Sequence, residues 1–535
     1  MSFNNQNRAI LGITKSTYLY LLFLLVIVSK LGTSQIGKPQ NLEVFTGPDF
    51  KNERKEPVNQ IIGKDQNGTL VMGYNGDQLV LYNYSSDLQL QNKKTAKLVF
   101  EGKKLDFHQV VKMEMNYFLI TSYLDKKNRQ VTLYGHKLNR QSLIFEGAKE
   151  ITAHSYEDFN RKESPIYSCV ASKDGKHLIC VTSLPSHLSH TYLFDVLVIN
   201  KDMELVWSKT SLKIKSMQPQ QVLHDVQVGP DGSVYVLAKI YDLKKGLKGL
   251  NYRFELQVYS EEAEKPFIFK TNLDSNIISD LKFELFENGT VYFIGFCANK
   301  EGLQTGILCF LLGGETFELK NKTKIDFPSD FIFQHGSEKE RRRAFKKTKQ
   351  GKDVGFYSFE VDDLIAHENG SVTMLAEQYS YYQNCYTDGT GSIRCTDNYI
   401  YGNIITVKFS QIGVVEWMDL VPKYQHTIND GGYFSGYCVS QLTDGSINLI
   451  FNDSPKNSYY RETGEHYGWN GTRGKTDVVV YNIEEEGKTN RYILLKGSDE
   501  DLMSRPKVAL QLSESEVLLM GESRKIYRFY RLLFE

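Results

Sequence analysis

The chain has 535 residues, 41% of them hydrophobic and 12% aromatic, with 33 Tyr and 30 Phe against only 12 Pro. Its 64 basic and 64 acidic residues cancel, so no global field draws it to nucleic acid or an anionic membrane. Abundant aromatics and scarce Pro argue for strands over disorder, because aromatic and β-branched side chains suit a pleated, half-buried surface.

In chain order, residues 1–34 read as a signal peptide. Arg8 and Lys15 precede an uncharged run whose apolar heart is Tyr18 to Val28, and small residues Gly32 and Ser34 set cleavage before Gln35. The apolar heart is too short to span a bilayer as a retained anchor, which takes about twenty residues. The remainder, 35–535, reads as a single domain with no later transmembrane segment.

A short phrase then recurs, a turn dipeptide followed by an apolar run. It falls at Asn67-Gly68, Asp174-Gly175, Asp231-Gly232, Asn288-Gly289, Asn369-Gly370 and Asp444-Gly445, with weaker versions at Met115-Asn116 and Ser513 to Glu516. Asn-Gly and Asp-Gly favour two-residue type I′ hairpins, in which both central residues need positive φ. A strand precedes each turn, one follows it, and two alternating strands come after. Four antiparallel strands repeated in this way predict an all-β fold, a single β-propeller of seven or eight blades. The last unit lacks a strand, which Asn41 to Thr46 would supply, joining the two termini in one blade and leaving no free edge. Three insertions interrupt the rhythm, near 320–352, 381–399 and 454–475.

Seven cysteines are spread through the chain. Cys385 and Cys395 bracket the second insertion and are expected to be bonded. Cys169 and Cys180 sit symmetrically about Asp174-Gly175. A two-residue turn would make them a hydrogen-bonded pair with Cβ atoms about 5.5 Å apart, too wide for a disulfide unless the loop is longer. Cys297 and Cys309 flank another hairpin and leave pairing open, and Cys438 reads as a buried thiol. No CxxC spacing points to a metal or redox site.

Asp225, Asp280 and Asp363 precede the Gly of their turns by similar spacings and would enter three successive blades on the innermost strand, facing the central channel. There they would hold a cation or polar ligand, or each would cap the turn entering its own blade. The basic run from Lys339 to Lys352 reads as an anchor for an acidic partner or as a solvated excursion. Signatures of catalysis are missing: no G-x-S-x-G elbow, H-E-x-x-H, P-loop or dinucleotide fingerprint, and hence no implied cofactor.

One stretch carries a resemblance. It runs from Asp362 through His367-Glu-Asn-Gly to Glu377-Gln-Tyr379, then through Pro422-Lys423, Asn429-Asp-Gly-Gly-Tyr433 and Phe451-Asn-Asp-Ser-Pro-Lys-Asn457. It is similar to a family of exported proteins common in Bacteroidota, which have no established reaction and show Asn where this chain has Ser454. The resemblance covers about two blades and implies an exported, propeller-like protein. It draws attention to Glu377, Gln378, Asp430, Asn452 and Asp453, either as ligand contacts or as ties between blades.

The leading functional expectation is a binding or scaffold protein of the cell envelope. It would recognise a protein or glycan through long aromatic loops, with Tyr381, Tyr382, Tyr386 and Trp469 as contacts. The rival is a hydrolase or lyase with carboxylates around the channel.

Overall fold

The computed structural model describes most of residues 42–534. The segments 1–41, 156–165, 185–189, 243–251, 272–276 and 460–465, most of 335–352 and a few shorter stretches lie outside the description. The segment read as a signal peptide and most of the basic run therefore fall outside the described residues. No helix among those described is long and apolar enough to cross a membrane.

Eight antiparallel sheets of four to six strands follow one another along the chain. Seven occupy 60–97, 106–155, 166–215, 223–270, 277–326, 359–421 and 438–495. The eighth takes Leu510–Ser513, Glu516–Glu522 and Ile526–Phe534 from the C-terminal end and Leu42–Thr46 from the N-terminal end. Leu42 pairs with Phe534 and Thr46 with Tyr530, so the outermost strand of this blade comes from the other end of the chain. Both weaker turn signals belong to blades of their own, which settles the number at eight.

Strand alternation explains the stacking. In Val291–Ala298 every position is buried, because neighbouring residues face different blades. Phe293 and Cys297 pack toward the fourth blade, while Tyr292, Ile294 and Phe296 pack toward the sixth. Each consecutive pair of blades shares an apolar cluster of this kind. The eighth and first share one too, where Leu518, Met520 and Phe529 meet Val71, Val80 and Tyr84. The Tyr84 and Tyr527 hydroxyls lie 3.0 Å apart across that junction, and Lys64 reaches Glu516 at 2.7 Å. Each fully buried aromatic or aliphatic side chain in such a cluster contributes about 1.5–3 kcal/mol.

The recurring turn differs from the two-residue expectation. In four blades the residue three before the turn Gly closes the hairpin: Gly229 donates to Ser233 O, Phe286 to Thr290 O, His367 to Ser371 O and Leu442 to Ser446 O. This leaves a three-residue loop in which only the Gly has positive φ. The Asp or Asn before it keeps negative φ, and its side chain instead accepts the N–H two residues on, as Asp231 does from Ser233 and Asn369 from Ser371. The dipeptide was informative because Asx side chains make this local bond, rather than because they tolerate a left-handed backbone.

Connectivity also sorts the insertions. With antiparallel strands in sheet order, the connection between second and third strands and the crossing to the next blade emerge on the same side, called here the upper face. All three insertions lie there. The first begins after Asp326, because Leu319–Asp326 is a regular outer strand. The second is a hairpin arm rather than a loop: Val372–Thr387 and Ile393–Phe409 extend far beyond the strand length of the other blades. The third begins at the short helix Pro455–Tyr459 and returns past Trp469.

Candidate functional site

The inner strands of the fourth, fifth and sixth blades each carry a bulge at Asp225, Asp280 and Asp363, so the three carboxylates occupy matching positions on adjacent strands. Their roles differ. Asp225 and Asp363 accept the N–H of their own successors, Val226 and Leu364, at 2.9 Å, within the inner strand, and Asp225 also meets the Phe283 N–H of the fifth blade. Asp280 crosses to the next blade, accepting the Val361 N–H at 2.7 Å and lying 3.1 Å from His224 Nε2. Among the described residues no group of His, Cys, Asp or Glu is arranged to hold a metal ion, so the cation role of these acids is not supported.

The channel mouth on the upper face is a cavity of about 460 Å³ lined by Glu360, Asp362, Asp363, Glu377, Tyr379, Tyr401, Tyr437 and Lys507. It adjoins a second, of about 580 Å³, that holds His224, Lys239, Asp280 and Lys282 and shares Glu360 and Asp362. Glu360, Asp362 and Asp363 are open to channel water, yet walled by protein, which weakens solvation. Burial, reinforced by the Glu377 charge and opposed by the Tyr437 hydroxyl, pushes the Asp362 carboxyl up to about 7. Tyr437 donates to Asp362 Oδ2 at 2.8 Å, and the Lys282 ammonium donates to the Asp362 backbone carbonyl at 2.6 Å. Burial likewise raises Glu360, with Asp280 adding to it, and Asp363, with Lys282 opposing. Asp280 behaves differently: the His224 contact, the Val361 N–H and Lys239 outweigh its burial and hold it below the usual range.

The resemblance residues build the walls. Glu377 meets the fully buried Lys423 ammonium at 2.5 Å, and Lys423 also donates to the Tyr401 and Gly402 carbonyls. Gln378 donates to Tyr357 O at 3.0 Å, outside the cavity lining. Asp430 accepts the Thr427 hydroxyl and the Gly432 N–H. Gly432 is required there, because a Cβ would stand 2.6 Å from the Tyr401 hydroxyl and φ is +65°. Asn452 accepts from Ser504 N–H and donates to the Ser504 and Phe434 carbonyls, tying the seventh blade to the eighth. Asp453 is held by Arg491 at 2.7 Å and by Asn457. Of the two readings, ties within and between blades describe Asp430, Asn452 and Asp453, while Glu377 also faces the cavity.

The hairpin arm extends this mouth. Tyr379 pairs with Tyr401 and Tyr381 with Tyr399, with ring centroids 4.9 and 5.2 Å apart. These four tyrosines share one face of the arm, and the first pair lines the cavity itself. Tyr382 and Tyr386, 41% and 55% exposed, alternate onto the opposite face. Gln425–Ile428 adds a third strand along Asn398–Tyr401, and Gln425 is bridged in turn to Trp469. Trp469 is therefore no surface contact. It is 2% exposed and donates to Thr476 Oγ1 at 2.8 Å, acting as a buttress beneath the arm.

Sequence reasoning did not single out Lys507, Lys423 as a partner, or the glutamines that stitch inner strands of neighbouring blades. Gln109 donates to Cys169 O, Gln227 to Phe283 O, and Gln511 to Gln441 O. The only local signal was a Gln three or four residues before the turn Asp, at Gln227 and Gln441.

Cys385 and Cys395 are bonded, with Cα atoms 4.0 Å apart. Cys297 and Cys309 are free; they face different blades, and Cys297 is opposite Gly306 rather than Cys309. Cys438 is a buried free thiol.

These elements define an eight-bladed propeller with one decorated face. Solved structures to which the chain is similar include the Dos1 propeller, 7% identical with a TM-score of 0.41 over 91% of this chain and 94% of that one. Another is the quinohemoprotein alcohol dehydrogenase from Comamonas testosteroni, 8% identical with a TM-score of 0.39 over 94% of this chain and 78% of that one. A third is the β-propeller domain of the Trilobed protease from Pyrococcus furiosus, 8% identical with a TM-score of 0.33 over 79% of this chain and 93% of that one. Likeness at this identity concerns fold alone. No protein-family model and no curated protein matches the chain.

Proposed function

We propose that this is an exported protein of the cell envelope, akin to the Bacteroidota family it resembles, that binds a glycan at the channel mouth of the upper face. The observation carrying this reading is the pair of tyrosine rungs, Tyr379/Tyr401 and Tyr381/Tyr399, leading out of a carboxylate-lined cavity along one face of the hairpin arm. Sugar rings present C–H faces that stack on aromatic rings, and hydroxyls that donate to carboxylates. A concave site with an aromatic wall and a few convergent polar groups is suited to both. The test is titration calorimetry of the full chain against soluble envelope polysaccharide fragments, with Tyr379→Ala and Tyr381→Ala as comparisons. Expected is saturable binding weakened about tenfold or more by each variant, as loss of about 1.4 kcal/mol implies. Saturable binding unchanged by both variants, or capture of a protein partner with no affinity for any glycan fragment, would reject the glycan reading.

A second reading, a hydrolase or lyase acting on the same glycan, has one observation in its favour. Burial and the Glu377 charge push Asp362 up to about 7 in a cavity that Glu377 also lines, so a carboxyl able to carry a proton near neutral pH faces the site. Product release from a bound glycan that is abolished in Asp362→Asn would support it. Prolonged incubation with intact recovery would remove it.

A further inference from the structure

We propose that Cys169 and Cys180 form a second cross-strand disulfide. The bonded pair supplies the geometric rule. At the tip of the arm, Asp388 N–H donates to Ser392 O at 2.9 Å, closing the hairpin. Hydrogen-bonded and non-hydrogen-bonded pairs alternate outward from that closure. Cys385 and Cys395 lie three steps out, at a non-hydrogen-bonded pair, where backbones come closest and Cβ atoms fall within disulfide reach.

The third blade repeats this arrangement. Ser172 N–H donates to His177 O at 2.8 Å, so the loop holds four residues instead of the two implied by Asp174-Gly175. Moving the closure out by one step leaves the partners unchanged but reverses the alternation. Cys169 stands opposite Cys180, again three steps from the closing pair and again at a non-hydrogen-bonded position. The sequence expectation of a wide, hydrogen-bonded pair fails for this reason. The two sulfurs are 2.6 Å apart, on one face, packed against Met113, Phe118 and Ile120 of the second blade.

Bond formation removes one hydrogen from each thiol. Two electrons and two protons pass to a disulfide-bearing oxidant, which leaves as two thiols by exchange through a mixed disulfide. Cys180 is 0% and Cys169 9% exposed, and burial raises the Cys180 thiol, so exchange proceeds while the hairpin is forming and is slow once the blades have packed. The bond is then shielded from reductants by the same packing.

The test uses the full chain folded in a glutathione redox buffer, denatured without reductant, alkylated and peptide-mapped. Expected is a linked peptide joining Cys169 to Cys180 beside the one joining Cys385 to Cys395, with Cys297, Cys309 and Cys438 alkylated. The Cys385→Ser/Cys395→Ser variant should still lose two hydrogens in intact mass, and adding Cys169→Ser should abolish that loss. Full alkylation of Cys169 and Cys180 in wild-type protein whose Cys385–Cys395 bond has formed would overturn the proposal. Wild-type mapping decides the matter even where the serine variants fail to fold.

Discussion

At the scale of single residues, the channel mouth is governed by pairing. Lys423 is fully buried with its ammonium on Glu377, and removing it strands a carboxylate that is only 6% exposed. Lys423→Ala is expected to cost about 3–5 kcal/mol in denaturant unfolding, whereas Lys423→Met with Glu377→Gln should recover most of that loss. A smaller loss in the single variant would mean that water replaces the ammonium. Asp362 gives a pH signature. Its carboxyl titrates near 3.8 when unfolded and near 7 in the folded chain. Between these values the native state holds a proton that the unfolded state has released, so stability falls as pH rises through that window. Asp225, Glu284, Glu360 and Asp363 are also raised and act with the same sign. Channel water screens the effect, so a modest slope is expected. Melting temperatures across the window should decline less steeply in Asp362→Asn than in the wild type. The positions of Asp225, Asp280 and Asp363 were legible from their spacing to the turns. The pairs His224–Asp280 and Glu377–Lys423 were not, because they are made only when separate blades and strands are brought together.

At the scale of elements, the turn phrase was legible and its conformation was not. The dipeptide located six inner hairpins and the weaker signals the other two, but the closing pair depends on hydrogen bonds beyond the turn residues, and this decides the alternation along both strands. That explains why the same reading placed the blades correctly and the Cys169–Cys180 pair incorrectly. In the sixth blade, Gly370 has φ +79° while Asn369 accepts the Ser371 N–H. Gly370→Ala is expected to destabilise by about 1–2 kcal/mol, the cost of a left-handed Cβ, and Asn369→Ala by about 1 kcal/mol or more through the lost bonds to the Ser371 N–H and hydroxyl and to Glu485. An Asn369→Gly variant no less stable than the wild type would instead indicate a left-handed residue at 369, as in a type I′ turn. The arm was misread as a loop because Gly, Tyr and Thr between two Cys resemble one; cross-strand pairing by Gln425–Ile428 and the Trp469 buttress make it a sheet. A Trp in a Gly-rich segment carries no local sign that it folds beneath a neighbour.

At the scale of the whole molecule, antiparallel order alone puts all three insertions on the face where the inner strands begin, a consequence available from the repeat before any coordinates. What the repeat could not give is which strands form the walls of the mouth, since Lys507 of the eighth blade reaches Tyr401 of the sixth at 2.8 Å across the seventh. The eighth blade is also where the two ends of the chain meet, and it supplies the most global test. Leu42–Thr46 covers the outer edge of Ile526–Phe534, with Leu42 beside Phe534 and Val44 beside Leu532, and Leu42 joins the cluster between the seventh and eighth blades. Deleting 42–46 removes a ladder of main-chain hydrogen bonds and exposes a long, apolar strand edge, a template for pairing with another chain. The truncated protein, begun at Gly47, is expected to melt at lower temperature and to elute partly as dimers or larger species in size-exclusion chromatography. Adding a synthetic peptide spanning 41–47 should return its elution toward that of the full chain, because the peptide refills the same edge. A truncated chain whose elution and melting match those of the full chain would show that the blade interfaces alone, including the Tyr84–Tyr527 contact between the eighth blade and the first, hold the disc together.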